Sequence, residues 1–124
     1  MRKQYHLRQG KNGLDAWDVD RLVDLSRDLS PFDIPLSSIR EVDTVYWFDD
    51  SEPPTVRSVI EHVRLIQAVD LSYPIILGAD GRVMDGMHRI ARAILEGHET
   101  ITAVQLTSDL EPDFTGCRPD ELPY

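Results

Sequence analysis

Ile75-Ile76-Leu77-Gly78-Ala79-Asp80-Gly81-Arg82-Val83-Met84-Asp85-Gly86-Met87-His88-Arg89-Ile90-Ala91-Arg92-Ala93-Ile94-Leu95-Glu96-Gly97 is the stretch that decides how this chain folds. Asp80-Gly81 between two apolar runs is a strong hairpin signal, so the first half predicts a strand, a tight turn and a short strand. A sharp turn at Asp85-Gly86 then leads into a helix whose Ile90, Ala91, Ile94 and Leu95 share a face and which Gly97 closes. His88, Arg89 and Arg92 lie toward or beside its open first turn. A helix entered through a glycine turn leaves its first backbone N–H groups without partners, and with His and Arg beside them it is suited to hold an anion.

Upstream, Pro53-Pro54-Thr55 announces the clearest helix of the chain. Thr55 is a good N-cap, and Val56, Val59, Ile60, Val63, Ile66 and Val69 form an i, i+3, i+4, i+7 stripe that runs to Asp70. Its polar side carries Arg57, Ser58, Glu61, His62 and Arg64. Val45-Tyr46-Trp47-Phe48 is too short to classify by period and reads as core, as a strand or as a lid over a ligand. Asp33-Ile34-Pro35-Leu36 reads as a short strand or edge segment, since proline confines a strand to an edge or to its first positions, and Ser37-Ser38 caps a turn carrying Ile39 and Arg40. A first helix is expected from Asp15 or Asp18, either of which can cap it, to Ser30-Pro31. Residues 1 to 14, with Arg2, Lys3, Arg8 and Lys11, read as a loose polar arm. Downstream, Glu99 to Leu106 is β-branched and predicts a strand, while Thr107 to Tyr124 holds three prolines among acids and reads as irregular. Trp17 and Trp47 read as packing residues.

At 124 residues the chain has the length of one domain with a single core. No apolar run approaches a membrane span and no export signal is visible, so a cytoplasmic address is expected. The single cysteine, Cys117, excludes an internal disulfide and a thiolate zinc cluster. A formal net charge of −9 argues against tracking nucleic acid or an anionic membrane, since such binding draws on neutralised phosphates. It leaves room for one local basic pocket and a small anionic ligand.

Asp85-Gly86-Met87-His88-Arg89, followed by Ala91 and Ala93, resembles the Gly-x-His-Arg signature of the ParB/sulfiredoxin superfamily. Ile34 to Arg40 is similar to that family's opening strand and turn, and Glu99 to Ala103 to its later strand. The resemblance spans residues 33–107, between an N-terminal arm and helix (1–32) and an irregular tail (108–124), all in one globular unit. It implies an α/β (α+β) fold, a small mixed sheet flanked by helices, that binds nucleotide phosphates at the turn before the His-Arg helix. Gly86 would let the backbone approach a phosphate, the N–H groups of Met87 and His88 would point at it, and His88 and Arg89 would add charge-assisted hydrogen bonds. Arg40 matches a phosphate-contacting arginine of the sulfiredoxins and Ser58 a ligand-binding serine, whereas Thr55 and His62 replace a lysine and a threonine of that group.

Two departures narrow the function. Sulfiredoxins carry their reactive cysteine immediately before His-Arg, and Met87 stands there; a thioether cannot form the required thiolate. The residues after Leu106 are too few for the helix-turn-helix reader of ParB proteins, so DNA partitioning and nuclease roles rank last. What the resemblance leaves is a phosphate binder, with a free-serine kinase as its enzymatic model. Phosphoryl transfer needs positioning, electrostatic clamps, often magnesium, and a carboxylate to accept the hydroxyl proton. Glu41 or Asp43 is placed to be that base, and Asp85 to help hold a metal, to fix the turn or simply to cap the helix. The expected activity is thus transfer from a nucleotide (ATP, ADP or CTP) to a small hydroxyl-bearing acceptor. The alternative is a non-catalytic nucleotide-binding or protein-interaction module. Arg92 and Glu96 are expected to form an ordinary i, i+4 pair.

Overall fold

The computed structural model describes residues 3–124; Arg2 of the basic arm lies outside the described residues. In chain order the elements are strands β1 (Tyr5–Gly10) and β2 (Gly13–Asp18), helix α1 (Val19–Ser26), strand β3 (Phe32–Pro35), helix α2 (Val56–Ala68), strands β4 (Ile75–Leu77) and β5 (Val83–Asp85), helix α3 (Met87–Leu95), and strands β6 (Thr100–Gln105) and β7 (Phe114–Cys117). Single 3-10 turns at Leu36–Ser38 and Arg40–Asp43 follow β3.

The centre is a four-stranded sheet in the order β3-β6-β4-β5. β6 pairs antiparallel with β3 and parallel with β4, and β5 returns antiparallel along β4, so the sheet is mixed, in agreement with the expected fold class. The hairpin forms at Asp80-Gly81, where Gly78 N–H donates to the Arg82 carbonyl at 2.8 Å. Alternation along the short strands divides the interior into two cores. Ile75, Leu77 and Val83 face α3, meeting Ile90, Ala93 and Met87 together with Leu36, Ile39, Ile101 and Ala103. Ile76, Met84 and Val104 face the opposite way, onto Trp17, Leu22 and Leu106.

The second core is closed by a smaller sheet in the order β1-β2-β7. The expected loose arm of residues 1 to 14 is, from Tyr5 onward, ordered strand: β1 and β2 form a hairpin in which Gly10 faces Gly13 across Lys11-Asn12. Gly13, at φ 113°, supplies the left-handed conformation that this tight connection needs. The tail is likewise not wholly irregular, because β7 pairs with β2 from Leu14 to Ala16. Asp113 anchors it, accepting from the Asp18 amide at 2.8 Å and from Arg21 at 3.0 Å.

Helix α1 starts where Asp18 accepts from the Asp20 amide at 2.9 Å, which decides between the two expected caps; Asp15 lies within β2. The helix stops at Ser26, short of Ser30-Pro31. Ser26 turns its hydroxyl back onto the Val23 carbonyl at 2.8 Å, a bond that competes with continued helix. Helix α2 begins at the predicted cap, Thr55 accepting from the Ser58 amide at 3.1 Å. Only the end of its apolar stripe is covered: Val56, Val59, Ile60 and Val63 are all exposed, while Ile66 and Val69 are partly covered together with Ser58 and His62 of the polar side. No described helix is long and apolar enough to cross a membrane.

Candidate functional site: the groove at the start of helix α3

The turn into α3 is set by Gly86, which has φ 117° and acts as the N-cap. A side chain there would be strained by the backbone and blocked as well, since a Cβ would stand 2.6 Å from Ile75 Cγ2. Glycine offers no capping oxygen, and Asp85 does not supply one; its carboxylate accepts from Arg89 at 2.7 Å. The first intrahelical bond is Ile90 N–H to the Gly86 carbonyl, at 3.0 Å. The amides of Met87, His88 and Arg89 accordingly have no acceptor among the described residues. Three unpaired N–H groups at the positive end of a helix are a preformed anion cradle.

The charge-assisted clamp expected of His88 and Arg89 is not the arrangement found. Arg89 turns inward: besides Asp85 it donates to the carbonyls of Pro74 at 3.1 Å and Tyr73 at 3.3 Å. Its guanidinium therefore braces the turn against the loop before β4, and its positive charge is matched by Asp85. His88 leans toward α2, where its Nε2 lies 2.8 Å from His62 Nδ1. The indole of Trp47 stacks on both imidazoles, with centroid distances of 4.6 Å to His62 and 4.7 Å to His88. Burial, and secondarily the neighbouring His62, push His88 down to about 4. Burial lowers His62 as well. Near neutral pH the two rings thus share one hydrogen and carry no charge, so the site's attraction for anions comes from main-chain dipoles.

Beside this turn a groove of about 450 Å³ runs along α3. One wall is Met87, Ile90, Ala91 and Ile94; the other is the irregular segment from Glu41 to Phe48, including Tyr46 and Trp47. Tyr46 and Trp47 also pack against the α3-side core, so the aromatic run is both core and wall. The Tyr46 phenol is pushed up to about 12 by burial and by the Glu41 carboxylate, and it stays a neutral donor.

Of the two candidate acids, Glu41 lines the groove and Asp43 stands exposed outside it. Glu41 Oε2 accepts from the Val83 amide at 2.7 Å, at the start of β5, which ties the segment to the central sheet. Arg40 is exposed and takes no part in the lining. The Ser58 hydroxyl is used at the start of α2, donating to the carbonyls of Pro53 at 2.9 Å and Thr55 at 3.0 Å. Arg92 pairs with Glu96 as expected, at 3.1 Å, and also reaches the Gln67 carbonyl, joining α3 to α2. The structure thus brings Glu41 and Met87 to one groove, with Gly86 and His88 beside it, and leaves Arg40, Asp43 and Ser58 elsewhere. No family model matches the chain, and no curated protein or solved structure does.

Reading residues alone missed the joining of Trp47, His62 and His88. They come from three segments, 26 residues separating the two imidazoles, and no local period links them. The only signal was that His62 and Ser58 interrupt the polar side of α2 with groups too short to reach far into water.

Proposed function

We propose that this chain binds a nucleotide, its phosphates on the amides of Met87, His88 and Arg89 and its base in the aromatic-walled groove along α3. The observation that carries the reading is the uncapped start of α3 opening beside that groove. The volume accommodates a planar ring system, and the indole and phenyl walls suit its faces. The resemblance of Asp85 to Arg89 to the ParB/sulfiredoxin signature points the same way. Arg89 and Asp85 serve here as positioning residues that hold the turn.

Calorimetric titration with ATP, ADP and CTP tests the proposal. At a hundredfold excess over the dissociation constant, a nucleotide that fits raises stability by about 2.7 kcal/mol. Ala91→Phe, which fills the groove and leaves the amides in place, should abolish nucleotide binding. A chain that binds none of the three nucleotides, or binds them equally well after that substitution, refutes the reading.

Transfer of a phosphoryl group to a small hydroxyl acceptor such as serine is the catalytic extension, with Glu41 as base and magnesium on the nucleotide. Binding without turnover is the second reading, and the main-chain bond of Glu41 to Val83 favours it, because that carboxylate oxygen is already engaged in holding the segment against the central sheet. Product released from ATP and serine, and lost in Glu41→Gln with binding intact, decides for the enzyme.

A further inference from the structure

On the other face of the central sheet, where β1 closes the second core, a pocket of about 160 Å³ opens between the small sheet and the β4–β5 hairpin. Its floor is apolar, made by Trp17, Met84, Leu106 and Leu110. Arg8 reaches into it from β1. The register of the β1–β2 hairpin sets His6 opposite Trp17, and Arg8, two residues on, projects from the same face.

Arg8 has an unusual set of neighbours. One terminal nitrogen lies 3.3 Å from the Met84 sulfur and 3.4 Å from His6 Nε2, and the guanidinium sits 5.4 Å from the Trp17 ring centre. A thioether and an imidazole are weak or single acceptors for a group with five N–H donors. Burial, then Arg8 and Arg82, push His6 down to about 4, so it is a neutral acceptor that cancels no charge. Arg8 forms no ion pair among the described residues. Arg82, the other cation of the pocket, is spent on Asp80, with Nε 2.7 Å from Oδ2. One half-buried guanidinium is left without an ion-pair partner, its donors above an apolar floor.

We propose that this pocket is a second binding site and takes a small organic carboxylate, its two oxygens on the Arg8 guanidinium and its short aliphatic part on Trp17, Leu106 and Leu110. The planar fork matches a carboxylate in geometry. Of the two guanidinium groups in the pocket, Arg8 is the one without an ion-pair partner, and its fork is open to a monoanion. Asp80 and Asp109 on the rim disfavour a dianion such as phosphate. The site is independent of the α3 groove, which lies across the sheet.

Isobutyrate is the probe, followed in amide and side-chain ¹H–¹⁵N spectra of the whole chain. Two resonances report: the Arg8 Nε–H, and the Trp17 indole N–H, which donates to the Leu110 carbonyl at 3.0 Å. Isobutyrate should shift both to saturation while the Met87, His88 and Arg89 amides stay still. Isobutyramide, neutral and of the same shape, should shift neither. Arg8→Met should weaken binding at least about tenfold, the value of a charge-assisted pair. The Trp47 indole resonance shows whether that variant is folded, and if it is not, the isobutyrate–isobutyramide comparison on the unaltered chain decides. Shifts that do not saturate, equal shifts with the amide, undiminished binding in folded Arg8→Met, or tighter binding of inorganic phosphate each overturn the proposal.

Discussion

Gly86 and the histidines show how much single residues are asked to do. Gly86→Ala would place a methyl group against Ile75 in a backbone conformation that alanine resists, and it is expected to cost about 1–3 kcal/mol in urea unfolding. The imidazoles of His6 and His88 lie at about 4 in the fold, against an ordinary 6.5. Between those values the unfolded chain holds more protons than the folded one, so stability falls as pH falls from about 6.5 to about 4 and is fully present above that window. His6→Gln and His88→Gln should each flatten the pH dependence of the urea midpoint across that interval. A slope unchanged in both variants would contradict the neutral imidazoles.

The helices divide by how they use their apolar residues. Ile90, fully buried where α3 meets the sheet, should lose about 2–5 kcal/mol on truncation to alanine, because a cavity would open in the larger core. Val56, on the nominal apolar stripe of α2 but 79% exposed, should accept lysine within about 0.5 kcal/mol. Equilibrium unfolding of both variants checks the contrast. It also marks what could be read from the residues beforehand. The start of α2 was legible because Thr55 caps locally, and the β4–β5 hairpin because Asp80-Gly81 is a local signal. The inward face of α2 was not, since its partners on α3 and at Trp47 are distant in sequence and select His62 over Val59. The β1–β2 hairpin went unread for another reason. Its two-residue connection at Lys11-Asn12 lies among polar side chains, and its burial depends on β7, about a hundred residues later. At the site, Gly86 and the open helix start followed from a short motif. The inward turn of Arg89 and the pairing of His88 with His62 depend on carbonyls and rings supplied from elsewhere.

Across the whole molecule, the central sheet carries one core on each face, and the same short strands contribute to both. Loss of one core removes the support of the other, so the chain should unfold in a single transition. Its two tryptophans make that measurable: Trp17 belongs to the second core and Trp47 packs on the first. Trp17→Phe and Trp47→Phe variants, each reporting by its remaining indole, should show fluorescence transitions that coincide with their own circular-dichroism transitions. A fluorescence midpoint displaced from the backbone signal in either variant would reveal separately melting halves.

The early hairpin β1–β2 takes its third strand from β7, and the Tyr5 hydroxyl donates to the Pro123 carbonyl, so opposite ends of the described chain are sewn into one seam. During synthesis the hairpin leaves the ribosome long before its last neighbour exists. The pocket wall bearing Arg8 matures only when that neighbour arrives, so a segment made early is finished late.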